Sequence, residues 1–258
     1  MSVLPVILAS LVAVSLLLAV TALVSYRIGL VAVVDVTWGL GFVLVALVSA
    51  LVGDSDVRWL LLGLVGVWGL RLAWHIGKRQ IANPHEDPRY AEMLGDGGFG
   101  LAIRKVFVLQ GILIWFISLP VQVAAVVDTR WTWLVWVGVL VWAVGLVFES
   151  VGDAQLSAYK KDPDRKPVMD RGLWAWTRHP NYFGDFSVWW GIWLVGLAGG
   201  AVAGLSTVLS PAAMSYFLIF ASGARLLERT MMKRPGYPEY AERTSMFFPL
   251  PPKKQPLS

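Results

Sequence analysis

The residues able to do chemistry gather at the junctions between charged segments and long apolar runs. The stretch DRGLWAWTRHPNYFGDFSVWWGIW, residues 170–193, sets Arg178, His179, Pro180, Asn181, Tyr182 and Asp185 where the chain turns apolar. A plain membrane anchor uses an Arg or a Trp at such a boundary. It has no use for an Asn, a Tyr and an Asp within about one and a half helical turns. Asn181 and Asp185 are spaced i,i+4 and share a helix face. The same spacing joins Glu149 to Asp153 in VFESVGDAQLSAYKK, and Arg225 to Arg229 in GARLLERTMMKRP, with Glu228 beside the last pair. Three helices thus bring paired polar groups to one rim, which predicts a polar ligand pocket.

The charge balance says which ligand such a pocket would take. Between 153 and 178 six Lys and Arg, Lys160 among them, face four Asp, and between Arg225 and Lys254 seven face three Glu. That surplus favours a polyanion such as a dinucleotide with its phosphates. Carboxylates and an Asn in the same pocket suit ribose hydroxyls and a carboxamide. The bias of Lys and Arg toward the cytosolic ends of membrane spans produces the same surplus with no ligand at all.

Two further charges stand inside apolar runs, Asp35 in LVAVVDVTWGLGFVL and Arg71 in LVGVWGLRLAWHIG. Ionisable groups in a bilayer are costly and mark paired or functional sites. Counted from Arg27 and Lys78 at the inner boundary, Asp35 lies about 12 Å deep and Arg71 about 10 Å deep at the rise of an α-helix. On adjacent antiparallel spans the two can meet. One reading is an ion pair that fixes helix packing. The other is that one member touches a polar substrate group, with Asp35 as a proton donor if Arg71 turns elsewhere. Trp38 and Trp68 would be flat walls for a lipidic ligand, or packing residues. His75, one turn from Arg71, is either a structural histidine or a further contact to that ligand.

The elements that must position these groups are membrane helices. The chain has 258 residues, of which 57% are hydrophobic and 15% charged. A soluble domain holds about a quarter charged residues, and the apolar surplus here falls in runs near the ~20 residues that cross a bilayer. Seven spans are expected, at 4–26, 28–52, 57–77, 103–127, 131–151, 183–206 and 209–226. The fold class is therefore all-α, a multi-pass transmembrane bundle. The first run is too long for a signal peptide and lacks its basic start and cleavage site. Nineteen of the 22 Lys and Arg fall on one side of this arrangement, against Arg58 and Arg130 on the other and Arg71 within a span. The amino terminus is then expected outside and the carboxy terminus in the cytosol. A single domain over 1–258 is expected, with substrate-side helices in 1–127 and cofactor-binding helices in 128–258.

Other classes are excluded or demoted. With no cysteine there is no disulfide, iron–sulfur cluster or thiolate metal site. The three histidines, His75, His85 and His179, have no ligand spacing, so no metal is expected. The basic pI is explained by membrane topology, so no nucleic acid is expected as a partner. The string GDGGFG, Gly95–Gly100, matches a dinucleotide fingerprint, but it follows NPHEDPRYAEML and no strand. That motif needs a strand before it and a crossover after it, so it reads as a re-entry loop.

Taken together, FESVGDAQ, YKKDP, DRGLWAWTRHPNYFGD and LLERTMMKRPGYPEYAERTSMFFP over about 145–252 resemble the steroid 5α-reductase superfamily, in its bacterial DUF1295-type branch. DVTWGLGF and WGLRLAWHIGKRQ with EDPRY extend the resemblance into the amino-terminal half. It implies a seven-helix fold in a bacterial plasma membrane, with NADPH at the cytosolic ends of the later helices. Hydride would pass to a conjugated C=C of a lipidic ketone between the amino-terminal helices. By position, Asn181 and Asp185 stand where the family's Asn-x-x-x-Glu binds nicotinamide and ribose, Asp being one methylene shorter. Asp153 and Lys160 stand near contacts to the adenosine half and phosphates, and Arg225 and Arg229 near the Arg and His that follow the last span. The ketone-holding Glu and Tyr of the steroid enzymes have no clear match, and Asp35 and Trp68 are the nearest. The Arg-His-Pro-x-Tyr turn also resembles isoprenylcysteine and phospholipid methyltransferases, which use S-adenosylmethionine.

The sequence thus predicts an NADPH-dependent membrane reductase of a hydrophobic small molecule. Its dinucleotide would be held by Glu149, Asp153, Lys160, Arg178, His179, Asn181, Tyr182, Asp185, Arg225 and Arg229. Asp35 and Arg71 would be catalytic, and Trp38, Trp68 and His75 would contact the substrate. A lipid or prenyl methyltransferase is the alternative, and a non-catalytic lipid-binding protein the next.

Overall fold

The structure, a computed structural model, describes residues 2–253. Lys254, counted above with the basic residues of the inner rim, lies outside them. Helices run in the order α1 (Leu4–Ile28), α2 (Val33–Val52), α3 (Arg58–Ala82), α4 (Pro88–Leu94), α5 (Gly98–Ala102), α6 (Val108–Ile117) and α7 (Leu119–Ala124). Then come α8 (Thr132–Lys161), α9 (Pro180–Leu197), α10 (Ala201–Thr207), α11 (Leu209–Tyr216), α12 (Ala224–Met231) and α13 (Tyr237–Arg243). Wider π-turns join α5 to α6 and extend α11. The described residues form no strand, and their one β-type contact is a bridge between Thr177 and Ser245.

Six helical stretches are long and apolar enough to cross a membrane: Leu4–Ile28, Val33–Val52, Arg58–Ala82, Gly98–Ile117, Thr132–Lys161 and Ala201–Met231. The protein is a multi-pass helical membrane protein. Seven spans were expected, and the differences have local causes. The run at 183–206 is not one helix. Helix α9 ends at Leu197, Gly200 takes a φ of +124°, and a new helix starts at Ala201 and continues as the last span. The second span starts at Val33 and not at 28, because Gly29, with φ +72°, ends α1. The depth expected for Asp35 is overturned with it, since Asp35 lies in the first turn of α2.

The chain divides into two compact units. The first comprises Met1–Trp136 and Ile192–Ser210, the second Val137–Gly191 and Pro211 onward. In the first, α1 buries Val6, Ser10, Val14, Leu18, Thr21 and Ser25, steps of three and four that make one stripe. Most of its remaining Leu and Val residues stay exposed, as lipid contact allows. Thr21 and Thr37 hydroxyls meet at 3.0 Å between α1 and α2. Helices α2 and α3 cross at Gly39 and Gly69, where a methyl on either would stand 2.5–2.7 Å from the other's carbonyl oxygen. Lipid tails are as apolar as leucine, so close backbone approach of this kind is what holds membrane helices together.

The second unit uses the same device on a longer pair. Gly138, Gly145 and Gly152 of α8 recur every seven residues, as do Gly184 and Gly191 of α9. A Cβ on Gly145 would stand 2.6 Å from the Gly184 oxygen, and one on Gly191 2.6 Å from the Gly138 oxygen. Gly152 lies against Pro180 and the Asn181 amide. This contact line brings Glu149 and Asp153 of α8 beside the first turns of α9.

Candidate functional site

In the first unit the polar centre is built by a loop that the apolar pattern ignores. Asp87 caps α4, accepting the Arg89 amide at 2.9 Å, with Pro88 at the first helical position where a missing N–H costs nothing. The preceding Glu86 accepts the amides of Val31 and Ala32, at 2.6 and 3.0 Å, on the turn into α2. So fixed, α4 turns the Tyr90 hydroxyl to Asp35 Oδ1 at 2.5 Å and the Arg89 guanidinium to Asp35 Oδ2 at 3.4 Å. Gln110 Nε2 donates to the Tyr90 oxygen at 3.1 Å. Arg89 also forks onto Asp87 at 3.0 and 2.9 Å. Burial, with the Asp35 carboxylate and its hydrogen bond, pushes the Tyr90 hydroxyl well above the usual phenol range. Tyr90 is therefore a neutral donor held against a carboxylate.

The cation at Asp35 is thus Arg89, and the expected pairing of Asp35 with Arg71 gives way to it. The reason is the short turn after Gly29, which puts Asp35 at the helix end within reach of α4. Arg71 and His75 are half-buried on α3. Trp68 is fully buried and meets Phe42 edge-on at 5.5 Å, and Phe42 meets Trp38 likewise at 5.0 Å. These tryptophans form an aromatic core stack, with Trp38 the partly open member. Tyr90 and Arg89 are the functional candidates missed at the sequence level. The legible signal was EDP before RY, an acidic cap and a proline that start a helix and so set the direction of the two side chains after them.

The second unit centres on Glu228 of α12. Its Oε1 accepts from Arg178 Nε at 3.0 Å, His179 Nε2 at 2.9 Å and the Tyr237 hydroxyl at 2.7 Å, and its Oε2 from Arg178 Nη2 at 2.8 Å. Arg178 Nη1 donates to the carbonyls of Ala241 and Thr244 at 2.8 and 2.7 Å. The side chains of Arg178, His179 and Glu228 are 10%, 6% and 12% exposed. Burial and the Glu228 hydrogen bond push the Tyr237 hydroxyl up, and burial does the same to Tyr240. Arg178 and His179, expected to grip a cofactor, instead brace the α9 start against α12 and α13. The expectation overlooked that an arginine fifty residues from its carboxylate can be spent inside the protein.

The other residues expected at this rim divide by exposure. Glu149, Asp153 and Asp185 are buried, at 3%, 9% and 9%. Asn181 is half-buried at the second position of α9, and the Tyr182 ring stacks on His179 with centroids 5.6 Å apart. Lys160, Arg225 and Arg229 are exposed, with Arg225 over the Phe220 ring at 4.4 Å. The structure thus collects carboxylates and an amide at the α8–α9 contact and leaves cations on the surface of the same unit. Among the described residues no cluster of His, Asp and Glu could hold a metal ion. The GDGGFG string is the turn after α4 and the first residues of α5, with Gly95 and Gly98 at positive φ and no strand beside it.

Comparison with curated proteins gives no match, and comparison with solved structures gives none. A family model described as a protein of unknown function (DUF1295) matches residues 21–244, a range that takes in both polar centres. The chain belongs to the DUF1295 family.

Proposed function

We propose that this protein is a membrane-embedded, NADPH-dependent reductase that saturates a C=C bond conjugated to a carbonyl in a hydrophobic substrate. The observation that carries this reading is the Tyr90 hydroxyl, neutral, buried and fixed between Asp35 and Gln110. The resemblance to the steroid 5α-reductase superfamily points the same way, and to a cofactor side in the cytosol.

The residues of the second unit suit the coenzyme in kind. Asn181 offers an amide for a carboxamide, the buried carboxylates Asp185, Asp153 and Glu149 suit ribose hydroxyls, and the exposed Lys160, Arg225 and Arg229 suit phosphates. When bound, NADPH supplies the hydride. The chain's own task is to hold the carbonyl oxygen while negative charge gathers on it. The proton that completes saturation at carbon comes from solvent water. An arriving carbonyl oxygen accepts the Tyr90 hydrogen bond in place of Asp35, and Asp35 turns wholly to Arg89. One such aimed donor contributes about 10²–10³ in rate. Arg178 and His179 act through the α9 start, as positioning residues.

Calorimetry on the detergent-purified protein tests the reading. NADPH is expected to bind more tightly than NADH or ATP, and Asn181→Ala to weaken it by about tenfold, one hydrogen bond's worth. Equal affinity for all three nucleotides, with Asn181→Ala silent, would sink it. One observation favours a second reading, a methyltransferase. Three buried carboxylates and the withdrawal of Arg178 from the rim suit the cationic sulfonium of S-adenosylmethionine. In that case S-adenosylmethionine binds, and its affinity changes little with salt, whereas a nucleotide held by Lys and Arg weakens.

A further inference from the structure

The glycine-rich turn that resembles a nucleotide motif has another setting. Gly95 (φ +45°) and Gly98 (φ +66°) bend the chain between α4 and α5 through conformations that side chains disfavour. The bend lays Leu94 and Phe99 beside the end of α1. Between them is a cleft of about 290 Å³, walled by Ser25, Tyr26, Val31, Leu94, Phe99 and Ala102 with glycine backbone. The Tyr26 and Phe99 rings stand 5.2 Å apart. None of the residues lining the cleft is charged.

One polar group in this wall lacks a partner. Ser15 and Thr21 on the same helix return their hydroxyls to carbonyls one turn back, at 2.8 and 2.9 Å. Ser25 does not: it is 1% exposed, and its hydroxyl makes no hydrogen bond among the described residues. Ser10 on α1 is buried and unpartnered too, but only Ser25 stands in the wall of a cleft, where a partner from outside the chain can satisfy it. The wall is also tied to the polar centre. Leu94 lies one helical turn beyond Tyr90 on α4, and Val31 precedes Asp35 by four residues.

We propose that this cleft binds a neutral lipid by one hydroxyl or carbonyl group, held by Ser25, with its apolar body against Tyr26, Leu94 and Phe99. A carboxylate or phosphate headgroup finds no counter-charge in the wall and would lose its hydration uncompensated. The inference rests on the reductase reading for one point only, that the molecule so held is the substrate, which is then uncharged at its polar end.

The absence of cysteine makes the test direct. Leu94→Cys and, separately, Tyr26→Cys each place a single thiol in the cleft wall. Leu16→Cys, at a position of α1 that is 64% exposed, places one outside it. Maleimide labelling of the full-length protein in detergent is timed with lauryl alcohol, methyl undecyl ketone, laurate or lauryl phosphate. The alcohol and the ketone are expected to slow labelling of both cleft thiols saturably, by about tenfold at ten times their dissociation constant. Laurate and lauryl phosphate should not, and adding Ser25→Ala should remove most of the protection. Equal protection by all four amphiphiles, protection at Leu16→Cys, or none anywhere would overturn the proposal. Labelling reads occupancy without turnover. Intact protection with no reductase activity would therefore count against the proposed reaction alone, and activity without protection against the cleft alone.

Discussion

Asp35 and Glu228 are both carboxylates at helix ends, each facing an arginine and a tyrosine, yet their surroundings differ in completeness. Glu228 accepts four hydrogen bonds of 2.7–3.0 Å, and its arginine is further committed to two carbonyls. Asp35 accepts one short bond from Tyr90 and one long contact, at 3.4 Å, from Arg89, whose side chain is 47% exposed and mainly engaged by Asp87. A carboxylate with every lone pair taken is a brace. One with a half-exposed cation shared with Asp87 and a single hydroxyl can exchange a partner for a substrate at little cost. The same residue types thus separate into architecture and chemistry by how fully they are satisfied.

The contrast can be broken most directly at Glu228. Glu228→Ala leaves the Arg178 guanidinium nearly buried without its counter-charge, and a loss on the order of 3–5 kcal/mol is expected. Thermal unfolding monitored by circular dichroism in detergent checks it, and a change under ~1 kcal/mol would make the node ornamental. Tyr90→Phe keeps the ring and removes the hydroxyl, so stability should fall by only about 1 kcal/mol. Reductase turnover should fall far more, and a drop in stability equal to that of Glu228→Ala would erase the distinction between the centres. The smallest effect is absent at neutral pH and emerges in alkali. Tyr90, Tyr237 and Tyr240 are all raised above the ordinary phenol value of about 10. Their stabilisation is fully present below pH ~10, where folded and unfolded phenols are both neutral, and declines as pH rises further and only the unfolded chain ionises. Ultraviolet titration should show these three of the seven tyrosines still protonated at pH ~11, where ordinary phenols have ionised.

Much of the architecture was legible because lipid imposes length and composition. The first helix was expected at 4–26 and runs over Leu4–Ile28. What hydropathy cannot see is a backbone angle. Gly29 and Gly200 sit in apolar surroundings, and only their positive φ ends a helix, which moved the start of α2 and split the run at 183–206. The polar rim was read from i,i+4 spacing, which places groups on a face but says nothing of partners far along the chain. Arg178 and Glu228, and Asp35 and Tyr90, are fifty and fifty-five residues apart. Pairings of that separation are decided by tertiary packing. Exposure obeyed the same divide: the spacing that joins Asn181 to Asp185 and Arg225 to Arg229 does not tell that Asp185 is buried and Arg225 is not.

The clasp around Arg178 bears on how the protein is made. Arg178 N–H donates to Ser245, the Thr177 hydroxyl to Phe247, and the Leu250 amide to Trp176. Thr177 and Phe247 are seventy residues apart. At about 5–20 residues per second, a ribosome needs several seconds to supply the far half of this clasp after the near half has emerged. During that interval the start of α9 gains its glycine contacts with α8. As α12 and α13 emerge it adds the bonds of Arg178 to Glu228, Ala241 and Thr244, but not yet the bridge to Ser245, Phe247 and Leu250. A nascent chain arrested before Ser245 is then a defined, half-fastened species, and the stage at which a membrane chaperone or protease would meet the second unit.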